Sequence, residues 1–167
     1  GGLQYGTSAV LLGPAGIGKS TLAIQYARAA ADRGERAVVF AFDERVETIL
    51  ERTSGLGMDL ARPIDQGLVA IKPVDTAELS PGEFAHLVRR AAEGEGGQPG
   101  AKVVVIDSLN GYLGAMPEER FLTAQLHELL TYLGHKGVVT FLVVAQHGLF
   151  GHMETPIDTT YLADTVV

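Results

Sequence analysis

The stretch Ala9-Val10-Leu11-Leu12-Gly13-Pro14-Ala15-Gly16-Ile17-Gly18-Lys19-Ser20-Thr21 decides the reading of this chain. Its first four residues are apolar and predict a buried strand that ends on glycine. The alanine-rich segment from Thr21 to Arg33 predicts a helix. Leu22, Gln25-Tyr26 and Ala29-Ala30 recur there at helical spacing, and Gly34 is placed to end it. Between strand and helix, Gly13 to Ser20 matches G-x-x-x-x-G-K-[ST] in full. Gly13, Gly16 and Gly18 permit positive φ, so successive backbone N–H groups turn into one concavity. Those donors and the helix N-terminus favour an anion. Lys19 brings a cation to β- and γ-phosphates, and Ser20 offers a hydroxyl to Mg2+. Gly13, Pro14, Ala15, Gly16, Ile17, Gly18, Lys19, Ser20 and Thr21 are therefore the candidate nucleotide-binding residues. No Asn-Lys-x-Asp guanine-reading motif occurs, so ATP is the expected nucleotide.

Outward from this loop, apolar runs alternate with helical patterns. Ala37 to Phe42, Leu68 to Ile71, Val103 to Ile106 and Val138 to Ala145 read as strands, and Tyr161 to Val167 begins another. Val46 to Leu56 reads as a helix with Val46, Ile49 and Leu50 on one face. Ser80-Pro81-Gly82-Glu83 is a helix start, with Ser80 as cap, Pro81 at the first position and Glu83 closing a capping box. Phe84, Leu87 and Val88 then face inward. Gly94 to Gly100 is a surface loop. The longest helical pattern runs from Glu118 to Lys136, with Phe121-Leu122, Leu126, Leu129-Leu130 and Leu133 inward. Strands alternating with helices predict an α/β fold, a mostly parallel sheet covered on both faces in three layers.

Carboxylates fall where such a sheet places chemistry, at the C-terminal ends of strands. Asp107 follows Val103 to Ile106 and is the candidate metal-side carboxylate, on a strand expected beside that of the loop. Ser20 and Asp107 are the candidate Mg2+ residues. The strand that follows the loop's helix in the chain ends in Phe42-Asp43-Glu44. Phosphoryl transfer to water needs a group that orients and deprotonates the attacking water. Glu44 is the preferred base and Asp43 its partner or substitute; the competing reading is that both serve the N-terminus of the next helix. Gln146, after Val143-Val144-Ala145, stands where a side chain senses the γ-phosphate and relays it to the next loop. Lys19, Asp43, Glu44 and Gln146 thus form the candidate catalytic set.

Composition narrows the classes further. A chain of 167 residues with 46% hydrophobic and 20% charged residues reads as globular, one domain over 1–167. No apolar run reaches the length of a membrane-spanning helix, no secretory signal opens the chain, and a cytoplasmic location is expected. The absence of cysteine excludes disulfides, zinc thiolates and thiol catalysis within it. A net charge of −7 disfavours a nucleic-acid backbone as partner. The glycine-rich opening and the close on Thr165-Val166-Val167 suggest a core without its native flanks.

Taken together, Gly6-Thr7-Ser8, the phosphate loop, Phe42-Asp43-Glu44 and Val105 to Tyr112 resemble the KaiC-like branch of the RecA superfamily of P-loop ATPases. Gln146-His147-Gly148-Leu149 and Tyr161-Leu162-Ala163-Asp164 extend the resemblance over nearly the whole chain. It implies an ATPase with catalytic carboxylates after the second strand. It also implies assembly as a homo-oligomeric ring, a hexamer in the usual case, with nucleotide between subunits. The family's namesake carries Glu-Glu where this chain has Asp43-Glu44. The basic finger that the family sends to a neighbour's nucleotide comes from beyond the last strand here.

Other constellations weigh less. His127 and His135 are eight apart rather than four, which is not the zincin spacing, and read as solvent-facing. His147 and His152 flank a glycine-bounded loop rather than form a metal site. Arg89-Arg90 reads as a solvated helix end. The leading function is ATP hydrolysis coupled to conformational change in an oligomer. A nucleic-acid motor or recombinase core is the second reading, with its contacting loops at residues 110–119 and 147–156. Those spans hold no Lys or Arg. A nucleotide switch that binds without hydrolysing is the third.

Overall fold

A computed structural model describes residues 3–75, 77–114, 119–145 and 163–167. Its strands are β1 (Ser8–Gly13), β2 (Ala37–Ala41), β3 (Val69–Pro73), β4 (Val103–Asp107), β5 (Val139–Ala145) and β6 (Thr165–Val166). Its helices are α1 (Lys19–Asp32), α2 (Val46–Gly55), α3 (Ala61–Asp65), α4 (Pro81–Glu93), α5 (Leu109–Gly114) and α6 (Glu119–His135). Every strand pairing is parallel, in the order β3-β2-β4-β5-β1-β6. A parallel sheet needs cover on both faces, and β2 and most of β4 and β5 are buried throughout.

The alternation of side chains along a strand divides the core in two. Val38, Phe40, Val104, Ile106, Leu142 and Val144 face α4, α5 and α6, which contribute Phe84, Leu109, Leu126 and Leu133 among others. Val39, Val105, Phe141 and Val143 face the other way, against Ala23, Ala27 and Ala30 of α1. Ile24, Ile49 and Leu60 extend that second layer toward α2 and α3. The three-layer α/β architecture expected from the sequence is the one observed.

Several local readings are corrected. The buried face of α1 is Ala23, Ile24, Ala27, Ala30 and Ala31; of the residues noted at helical spacing, Ala30 lies in it, whereas Leu22 and Tyr26 do not. Leu22 and Tyr26 are 36% and 40% exposed. Four alanines on the buried face let the helix axis approach the sheet closely, with Ile24 the one large side chain among them; the Tyr26 ring lies 4.5 Å from that of Phe141. The Asp107 strand is not beside β1, because β5 is inserted between β4 and β1. The region from Asn110, read as the start of a loop, is helical as α5 through Gly114, since Leu109, Tyr112 and Leu113 are buried. Arg89 is not merely solvated: it pairs with Glu128 at 2.7 Å and lies over the Tyr132 ring, tying α4 to α6.

Other readings hold. At α4, Ser80 and Glu83 form a reciprocal capping box with proline at the helix start. Leu122, Leu126, Leu129, Leu130 and Leu133 of α6 are buried, and His127 and His135 are exposed. Glu118, Gln146, His147, His152 and the Tyr161-Leu162 start of the last strand lie outside the described residues. Among the described residues, no helix is long and apolar enough to cross a membrane.

Candidate functional site

Parallel register brings the C-terminal strand ends to one edge. Gly13 is level with Ala145, and Ala41 with Asp107, which is level in turn with Val143. The phosphate loop leaves the sheet at this edge. Gly16 and Gly18 take φ of +84° and +95°, and Gly18 is the N-cap of α1. A Cβ at either glycine meets no atom within 4 Å. The concave side is thus open, and glycine is needed there for backbone conformation rather than for room. The Lys19 ammonium donates to the carbonyls of Gly13 at 2.8 Å and Pro14 at 2.7 Å, which holds the loop closed on itself. Burial lowers the Lys19 pKa below the usual ammonium value, and the Asp107 charge acts in the opposite direction.

Asp107 ends β4, and the hydroxyl of Ser20, the second residue of α1, stands beside its carboxylate. Burial raises its pKa above the usual carboxylate range. The Ser20 hydrogen bond and the charges of Arg52 and Lys19 lower it, while Asp43 raises it further. A desolvated carboxylate beside a hydroxyl is a hard oxygen pair, the donor chemistry that suits Mg2+. Among the described residues no three His, Cys, Asp or Glu side chains converge to hold a metal unaided. The residues present fit both a polyphosphate and Mg2+.

The two carboxylates after β2 are held differently. The Phe42 N–H donates to the Asp107 carbonyl at 2.7 Å, which extends the β2–β4 pairing by one residue. Asp43 is thereby brought beside Ser108, whose hydroxyl donates to its Oδ2 at 2.5 Å. Glu44 turns the other way, and its Oε2 accepts from Arg52 of α2 at 2.7 Å. The same guanidinium donates from its other nitrogen to the Thr21 hydroxyl at 3.2 Å. A groove of about 330 Å³ opens beside this pair, lined in part by Asp43, Glu44, Arg45 and Asp75.

The structure brings together Lys19, Ser20, Thr21, Asp43, Glu44 and Asp107, whereas the Gln146 assignment falls outside the described residues. It adds three residues that the sequence reading missed. Arg52 was hidden because Thr21 is 31 positions away and no regular spacing pairs it with Glu44, eight positions before it. Ser108 looked like a mere neighbour of Asp107. Asn110 fixes the end of β5: its side-chain amide donates to the Ala145 carbonyl at 3.0 Å and accepts from the Ala145 N–H at 2.7 Å. The available signal was a polar residue just after the Asp107 strand, at the edge where loops meet.

Fold and site together define a RecA-like P-loop ATPase domain. The family described as "ATPase: KaiC" matches residues 1–164, and the chain belongs to that family. A curated relative, the circadian clock protein KaiC2 of Synechocystis sp., is 26% identical over 155 residues, which are 89% of this chain and 27% of the relative. This chain therefore spans little more than a quarter of that relative's length. A solved KaiC-like protein from the hyperthermophilic archaeon Pyrococcus horikoshii OT3 matches with a TM-score of 0.78 at 27% identity. That match covers 99% of this chain and 72% of the archaeal one.

Proposed function

We propose that this domain binds ATP with Mg2+ and hydrolyses it, and that it works within a homo-oligomeric ring. The observation that carries the reading is the Ser20–Asp107 pair set beside a fully formed phosphate loop in a KaiC-family chain. Loop N–H groups and Lys19 bind the phosphate tail. For Lys19 this means exchanging the Gly13 and Pro14 carbonyls for phosphate oxygens. Ser20 and Asp107 would hold Mg2+, which supplies charge neutralisation at the β- and γ-phosphates. Glu44 accepts the proton of the attacking water, and Asp43 stays tied to Ser108 as its neighbour. Gln146, directly after the Ala145 that Asn110 clamps, relays the γ-phosphate to the following loop.

The test is ATP turnover with and without Mg2+ in the parent chain and in Glu44→Gln. The variant should bind Mg·ATP as the parent does and lose about 100-fold or more in kcat. Equal turnover in the two chains removes Glu44 as the base. Absence of saturable Mg·ATP binding by the parent removes the whole reading.

A further inference from the structure

We propose that Arg52 is a positioning residue for hydrolysis: its guanidinium fixes the Glu44 carboxylate against the first turn of α1, beside the residues that hold the metal. The inference rests on Glu44 being the base. The three carboxylates at the sheet edge are partnered differently. Asp107 and Asp43 each face a hydroxyl, from Ser20 and Ser108 respectively. Glu44 faces a cation. A hydroxyl on a carboxylate is charge-assisted as well; what sets Glu44 apart is that its partner is itself a cation, in a direct ion pair at 2.7 Å.

The direction of that pair matters. Arg52 spans from Glu44 to Thr21, the residue after Ser20, so it draws the carboxylate toward the phosphate loop and not out to solvent. The Arg52 charge also reaches Asp107, whose pKa it lowers. Only Oε2 of Glu44 is committed to the pair; Oε1 has no partner among the described residues and is left for a water proton. The guanidinium is itself held. Its two outer nitrogens are engaged, and Nε is buried with no partner among the described residues. With both side chains about 30% exposed, the pair adds little to stability; its consequence is geometric.

The experiment compares Arg52→Ala, Arg52→Lys, Glu44→Gln and the Arg52→Ala/Glu44→Gln double variant. In the chain without nucleotide, guanidinium NMR should find rotation about the Arg52 Nε–Cζ bond slowed in the parent and released in Glu44→Gln. In turnover, Arg52→Ala should lower kcat by about 10- to 100-fold with KM for Mg·ATP unchanged, the cost of a misaimed group. Arg52→Lys should recover part of the loss, because an ammonium keeps the charge but not the two-way fork. In the Glu44→Gln background, Arg52→Ala should cost nothing more.

A further loss in that background, or a rise in KM, means that Arg52 touches the phosphates itself and overturns the proposal. Unchanged or faster turnover in Arg52→Ala overturns it too, as does a freely rotating guanidinium in the parent. These failures differ from failure of the base assignment, in which Glu44→Gln itself turns over like the parent. A parent with no measurable turnover removes both.

Discussion

Lys19 sits in a field of opposed terms. Burial favours its neutral form, Asp107 favours its charged form, and two loop carbonyls occupy its ammonium. A polyphosphate answers all three by supplying negative charge where the carbonyls stand. Lys19→Ala should therefore lose most of its Mg·ATP affinity in calorimetric titration while staying folded; parental affinity would remove Lys19 from the site. Tyr112 offers a residue-scale test of the core beneath the site. It is 3% exposed on α5, and burial pushes its pKa up to about 12. A raised folded-state pKa gives stability that is whole below the ordinary tyrosine value near 10 and lost as pH climbs toward 12. The difference is worth about 3 kcal/mol. Tyr112→Phe should thus lose less stability than the parent between those pH values in urea unfolding, and parallel pH profiles would refute it.

At the level of elements, α5 is the small piece on which the site's geometry depends. It follows β4 directly, carries Asn110 to the end of β5, and lies against the end of β2. Gly111 permits that approach: a Cβ there comes to 2.7 Å from Phe42 Cβ and 3.2 Å from Asp43 Oδ1. Phe42, Phe84 and Tyr112 surround the contact with edge-on and tilted rings, so the neighbours have little freedom to retreat. Gly111→Ala should cost about 1–3 kcal/mol in urea unfolding and lower kcat by displacing Asp43. A stable, fully active variant would show that the contact yields. At α4 the capping box is local: Ser80→Ala should lose about 1 kcal/mol and leave turnover untouched. A kinetic effect would mean that a loosened cap is felt through Phe84, the α4 residue packed against Phe42 and Tyr112. The capping box was legible because its partners are three residues apart; the role of Gly111 was not, because its neighbours are some seventy positions away.

At the scale of the whole molecule, one edge of a six-stranded parallel sheet gathers the described candidate residues of the site. Ligand binding there should stabilise the entire domain, since α1, β2 and β4 all belong to the two core layers. At Mg·ATP about 100-fold above Kd the gain is about 2.7 kcal/mol, readable as a raised Tm in thermal unfolding. Lys19→Ala should abolish that rise; an equal rise in the variant would mean that the stabilisation comes from elsewhere. The proposed ring assembly carries its own expectation, that Mg·ATP promotes association visible by light scattering. A protein that stays monomeric when saturated with nucleotide would contradict it.

Contiguous features were readable from the residues alone. The phosphate loop, the alternation of strands and helices, Asp107 at a strand end and the α4 cap all depend on neighbours within one turn or one strand, where spacing dictates geometry. Which face of α1 is buried was not legible from spacing, because alanines run all along the helix and close sheet packing chose among them. Strand order, with β5 between β4 and β1, was decided only when the layers packed. So were the partners of the carboxylates: Ser108 for Asp43, and Arg52 for Glu44. Those contacts join separate segments of the chain, and only the assembled sheet sets their distance and direction.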